Sequence, residues 1–129
     1  MASDMLFRGV APALVTPFTA NDEIDVEAFR SLVERQIEGG ASGLVVLGTT
    51  GENPTVTDAE RARLVDVAVA TVDGRVPVIV GTGTNDTDTS IQYSTAAVEA
   101  GADGLLVVGP YYNKPSQAGF VAHVEAIAG

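Results

Sequence analysis

Two stretches of the chain combine residue types that could do chemistry with a spacing that would expose them. In Gly48-Thr49-Thr50-Gly51-Glu52-Asn53, two hydroxyls stand between two glycines. Glycine lets backbone approach a ligand and leaves N–H groups free, and the flanking hydroxyls can donate to a carboxylate or phosphate oxygen. The same residues also suit a plain strand-end turn whose threonines satisfy local backbone. In Pro110-Tyr111-Tyr112-Asn113-Lys114, two phenols stand side by side. A phenol titrates near pH 10, so it moves protons near neutrality only within a hydrogen-bonded relay. Packing with one edge wet is the other role open to such a pair.

Other chemistries find little support. The sequence GTTGEN lacks the Lys-Ser/Thr of a phosphate-binding loop, and GTGTND has Asp86 where a dinucleotide fingerprint wants glycine. Asn85 and Asp86 read as a turn followed by a helix cap. There is no Gly-x-Ser-x-Gly nucleophile elbow. One histidine, His123, and no cysteine leave no transition-metal constellation, and neither metal nor cofactor is expected. His123 reads as a solvated surface residue. Lys114, the single lysine, reads as an exposed loop charge rather than a buried nucleophilic amine.

The elements that must position these groups emerge from the apolar pattern. Continuous Val/Leu/Ile-rich runs at Gly9–Val15, Gly43–Leu47, Pro77–Val80 and Gly104–Val108 suit parallel strands buried on both faces. Four helices alternate with them. Asp25 caps the first, with Val26, Phe29, Val33 and Ile37 on one face and Gly39-Gly40 at its end. Thr57-Asp58-Ala59-Glu60 is a capping box for the second, with Leu64, Val67, Ala68 and Val72 inward. The third runs from about Thr87 to Ala100, capped by Asp86 or Thr87, and the fourth starts near Ser116 or Gln117. The class is α/β, four βα units with a parallel sheet.

Glu38–Gly48 is echoed by Glu99–Gly109 at an offset of 61 residues, each copy a helix end, a turn and an apolar run. Such repetition suits a (β/α) barrel, with a doubly wound sheet as the rival. In either fold the loops after the strands, which carry the polar residues, gather on one face.

Composition sets bounds. The chain has 129 residues, 46% of them apolar, which is enough for a core. Seven basic against seventeen acidic residues give a net charge of −10, against nucleic acid or an anionic membrane as partner. No apolar run is long enough to span a bilayer. Met1-Ala2-Ser3-Asp4 does not open a secretory signal, and with no cysteine present a cytoplasmic location is expected.

Taken together, GVAPALVTPF, LGTTGENPTVT, PVIVGTGTND and PYYNKPSQAGFVAHVEAIA resemble the dihydrodipicolinate synthases, within the pyruvate-dependent class I aldolase family. The likeness covers nearly the whole chain but only the first half of the family's barrel, and the expectation is a piece of a longer (β/α)8 barrel. It implies condensation of pyruvate with aspartate semialdehyde through a lysine Schiff base, on the route to lysine and diaminopimelate. It further implies that Thr50 grips the pyruvate carboxylate. Thr49 would join a proton relay with Tyr112, which a neighbouring subunit supplies in a homo-oligomer. Asn85 and Tyr111 match positions of a regulatory lysine site. Thr89 and Asp58 replace a glutamate and a histidine found there in inhibited members. The Schiff-base lysine is not matched, since Lys114 does not align with it. Two alternatives stand: a sister aldolase or lyase acting on another aldehyde, and a non-catalytic, self-associating half-barrel.

Overall fold

A computed structural model describes residues 5–129. Its regular elements are α1 (Val26–Glu38), β1 (Leu44–Val46), α2 (Asp58–Val72), β2 (Val78–Gly81), α3 (Thr87–Glu99), β3 (Gly104–Leu106) and α4 (Gln117–Ala128). A short 3-10 turn, Asn53–Thr55, lies between β1 and α2.

Each helix starts where its capping residue dictates. The Asp25, Asp86 and Ser116 side chains accept from the N–H groups of Ala28, Thr89 and Gly119. Thr57 and Glu60 close both halves of a capping box, a device worth about 1 kcal/mol. The repeat in the sequence reappears in the hydrogen bonds. At the end of α1, Gly39, Gly40 and Ala41 donate to Arg35, Ile37 and Gln36. At the end of α3, Ala100, Gly101 and Ala102 donate to Ala96, Val98 and Ala97. Gly40 and Gly101 both have positive φ, 92° and 103°, which a side chain would resist.

The strands are parallel in the order β1-β2-β3, with Leu44 opposite Val78, Val46 opposite Val80 and Gly81 opposite Leu106. The expected first strand, Gly9–Val15, is an extended run joined to β1 by one bridge, Ala13 to Val45. Leu14 N–H donates to Val45, and Val45 and Ser42 N–H donate to Pro12 and Val10. Pro12 has no N–H to continue the ladder, so no regular strand forms. The expected last strand ends at Leu106 rather than Val108, because the Leu106 carbonyl is taken by the Thr82 and Gly83 N–H groups as the chain turns.

One face of the sheet is sealed. Leu44, Val46, Val78 and Val80 lie buried with Phe29, Val33, Leu64, Val65, Ala68 and Val72 in a continuous core. Val67, expected inside, is half-buried, and Val65 takes its place. The helices pack in sequence, α1 on α2, α2 on α3 and α3 on α4, as one layer. On the other face Val15, Leu106 and Val108 are exposed. Parallel strands in unbroken chain order with helices on one side belong to a barrel wall, and a doubly wound sheet would cover both faces.

Asp86 makes one expectation measurable. Its carboxylate accepts from the Thr89 hydroxyl and N–H, and these bonds hold its pKa below the ordinary aspartate value. The folded pKa lies below the unfolded one. The stability this gives is therefore fully present above the unfolded pKa and is lost as pH falls through the folded one. An NMR titration of the side-chain carboxyl should show a depressed midpoint, and a midpoint at or above the ordinary value would contradict the cap geometry.

Candidate active site

The turn after β1 is set by backbone geometry on both sides. Leu47 adopts φ 59°, a left-handed conformation that ends the strand abruptly. Its carbonyl lies over Gly81 at the end of β2, where a Cβ would overlap the carbonyl oxygen. Gly51 N–H donates to the Gly48 carbonyl at 3.0 Å, which closes a four-residue turn with Thr49 and Thr50 at its centre. The buried Thr16 hydroxyl donates to the Gly51 carbonyl at 2.7 Å and pins the turn to the first extended run. Glu52, also left-handed at φ 61°, leads into the 3-10 turn.

Thr49 and Thr50 are exposed. Among the described residues, neither their hydroxyls nor their N–H groups have a hydrogen-bond partner. Two hydroxyls and two N–H groups at a strand end are a donor set suited to an anion. The other threonine-rich loop contrasts with it. Thr82 is fully buried and accepts from the Ser94 hydroxyl at 2.8 Å. Thr84, Asp86 and Ser90 spend their groups on one another. That loop is satisfied, whereas the Thr49–Thr50 turn is not.

The tyrosines part company. Tyr112, in a left-handed conformation at φ 67°, is 91% exposed. Among the described residues no hydrogen bond joins it to Thr49. Tyr111 lines a cleft of about 180 Å³ together with Asn53, Arg61, Asn85, Thr89 and Tyr93. Asn85 and Tyr111, paired by the resemblance, thus share one cavity. Asn113 Nδ2 donates to the Asn85 carbonyl at 2.6 Å and fastens the tyrosine loop to the loop after β2. Lys114 is exposed.

The geometry therefore presents an open donor pair at the end of β1, beside a cleft lined by three loops. The profile of the dihydrodipicolinate synthetase family matches residues 6–129. The chain belongs to that family. A family member from Salinibacter ruber, 4-hydroxy-tetrahydrodipicolinate synthase, is 76% identical over 128 residues, covering 99% of this chain and 42% of the relative. The Thermotoga maritima dihydrodipicolinate synthase structure superposes with a TM-score of 0.93 at 50% identity, over 96% of this chain and 42% of that one. A chloride-inhibited synthase from Acinetobacter baumannii, solved with pyruvate, gives 0.93 at 39% identity, over 96% and 42%. This chain spans less than half the length of these relatives. Its four βα units are the N-terminal half of the synthetase family's (β/α)8 barrel.

Two residues in this family member depart from what the sequence suggests. His123 is buried, not solvated, at 6% exposure, with Nδ1 2.9 Å from the Thr87 hydroxyl. It lies on the face of α4 that packs against the start of α3, a contact no local pattern announces. Arg61 belongs to no motif and has the look of one more surface charge, yet it is 6% exposed. Its spacing holds the signal, because Arg61, Leu64, Val65 and Ala68 fall at i, i+3, i+4 and i+7 on one helical face. Burial pushes its guanidinium below the ordinary arginine value, countered by the nearby Tyr93, Asp58 and Tyr111.

Proposed function

We propose that the whole protein carrying these residues is a 4-hydroxy-tetrahydrodipicolinate synthase, condensing pyruvate with aspartate semialdehyde through a lysine Schiff base. The observation that carries the reading is the unsatisfied donor set of Thr49 and Thr50 at the end of β1, in a chain of this family. A second support is that a structural relative was solved with pyruvate.

In this reading Thr50, through its hydroxyl and N–H, holds the pyruvate carboxylate. The keto carbon is thereby turned toward an amine from a part of the barrel not matched in these 129 residues. Loss of water joins the amine to the keto carbon as an imine, and loss of a methyl proton gives the enamine that attacks the aldehyde carbon. Thr49 passes protons to and from this centre with Tyr112 of a second subunit. The near-complete exposure of Tyr112 and its lack of a bond to Thr49 within the chain favour such an arrangement over an internal relay. The covalent chemistry needs no cofactor beyond the lysine amine. Residues 1–129 are read as one partial-barrel domain of a cytoplasmic homo-oligomer.

Replacing Thr50 by valine in the whole protein removes one donor to a charged ligand, worth about 1.5–3 kcal/mol. KM for pyruvate should rise roughly 10- to 100-fold, with KM for the aldehyde nearly unchanged. Steady-state kinetics checks this, and an unaltered pyruvate KM would remove Thr50 from the carboxylate site.

The cleft holding Asn85 and Tyr111 is the candidate for regulation by lysine. Its lining includes the buried Arg61 cation and the Asp86 carboxylate, which is already engaged by the Thr89 hydroxyl and N–H. A second cation is disfavoured beside a guanidinium at low dielectric. Lysine titrated into the condensation assay should leave the rate unchanged at concentrations that saturate sensitive relatives. Strong inhibition would show that the cleft accepts an ammonium despite Arg61.

A further inference from the structure

Arg61 has no part in the chemistry derived so far, yet it occupies a costly position. It is a cation at 6% exposure, and among the described residues no carboxylate forms an ion pair with it. Its direct hydrogen bonds all go to neutral groups, with the Asp58 carboxylate acting on its charge from nearby. One terminal nitrogen donates to the Gly81 carbonyl at 3.0 Å. The other donates to the Asn53 carbonyl at 3.4 Å and to Asn53 Oδ1. The guanidinium lies 4.0 Å from the centre of the Tyr93 ring, a favourable cation–π distance. Tyr93 is itself held by its hydroxyl, which donates to Asp58 Oδ1 at 2.7 Å. Arg61 Nε is buried and has no partner among the described residues. A position chosen for stability alone would be filled more cheaply by an apolar side chain of similar volume.

The two groups that the guanidinium joins explain its presence. Gly81 is the residue on which the Leu47 carbonyl rests, where the turn begins. Asn53 opens the 3-10 turn just after Glu52, where the turn ends. One planar group therefore holds the far foot of the segment directly, at Asn53, and backs the near foot indirectly, through Gly81 against Leu47. Its fork fixes their separation, which a single ammonium could not do.

We propose that Arg61 is a positioning residue that sets the Thr49–Thr50 turn for binding of the substrate carboxylate, acting through Gly81 and Asn53 without touching substrate. The inference rests on the pyruvate reading of that turn. Without the guanidinium the turn keeps its Thr16 bond to Gly51 but samples conformations in which the Thr50 hydroxyl and N–H do not converge. Affinity then falls by the fraction of time the competent geometry is lost. Chemistry on substrate already bound is affected less.

The test uses the whole protein with Arg61→Met, which keeps volume without donors, Arg61→Ala, and Arg61→Lys. The expected result for Arg61→Met is a pyruvate KM raised about tenfold with kcat within about twofold, and an unchanged circular dichroism spectrum. Arg61→Lys, able to reach one foot at a time, should fall between. In Arg61→Ala, guanidinium ion added at tens of millimolar should lower the pyruvate KM toward the parent value, while the same concentration of ammonium should not. An unchanged KM in Arg61→Met would overturn the proposal. So would a fall in kcat and melting temperature without a KM effect, or a raised KM in Arg61→Ala that guanidinium fails to lower. Thr50→Val run in parallel separates the two claims. If it raises the pyruvate KM and Arg61→Met does not, only the clamp fails. If neither raises it, and borohydride with pyruvate traps no adduct, the pyruvate reading itself fails.

Discussion

Gly81→Ala is expected to destabilise the protein by about 3 kcal/mol, the upper end for an overpacked interior. A Cβ at this position would overlap the Leu47 carbonyl carbon and oxygen, and it would also stand 3.0 Å from Gly48 N. All three are backbone atoms, so no side chain can rotate away to make room. The relief available is displacement of the β1 end from β2, where Leu47 is buried and left-handed. Gly43→Ala is the control. Its Cβ would meet only side-chain atoms at 3.4 Å or more, ordinary contact distances, and it should cost less than about 1 kcal/mol. The denaturant midpoint of each variant measures the difference. Equal midpoints would mean that the Leu47 carbonyl yields freely, and the turn after β1 would then not be fixed by close approach. Because Gly81 also carries the carbonyl that Arg61 grips, any surviving folded Gly81→Ala protein should lose affinity for pyruvate as well.

The 129-residue chain by itself is expected to show no condensation of pyruvate with aspartate semialdehyde, a complete loss relative to the whole enzyme. The reaction proposed above needs an amine that can form an imine near the Thr49–Thr50 turn. Lys114 is the only lysine present. It is exposed on the loop after β3, in a left-handed conformation at φ 47°. No buried pocket surrounds its amine to strip it of water and turn it into a nucleophile. Borohydride added with pyruvate should therefore leave the mass of the 129-residue chain unchanged and add one reduced pyruvate to the whole enzyme. Turnover by the short chain, or a stoichiometric adduct on Lys114, would assign the nucleophile to this half of the barrel.

The helices are legible in the sequence because their signals are local. Asp25, Thr57 with Glu60, Asp86 and Ser116 each cap the helix their position indicates. Parallel order is implied by the alternation of apolar runs and helices. Strand limits are less legible, because pairing depends on a neighbour. Pro12 interrupts a ladder only once the partner strand is known, and the last strand stops where Thr82 and Gly83 claim the Leu106 carbonyl. Within the site, the Thr-Thr turn can be read from its glycines, but two threonine-rich loops look alike. Only the hydrogen bonds distinguish the satisfied loop at Thr82–Asp86 from the unsatisfied one at Thr49–Thr50. Arg61 and His123 are hidden for one reason. A charged or polar side chain on a helix is read as solvated until the element it faces is in place.

The two matching helix ends, at Gly39–Ala41 and Ala100–Ala102, separate carrier from cargo. Both deliver the chain into a strand by the same three hydrogen bonds and the same positive-φ glycine. The loops beyond the two strands differ: Gly-Thr-Thr-Gly after one, Gly-Pro-Tyr-Tyr after the other. The scaffold repeats while the payload varies. An open pair of threonines and an exposed phenol can thus be mounted on interchangeable supports, and either loop can diverge without renegotiating the wall that holds it.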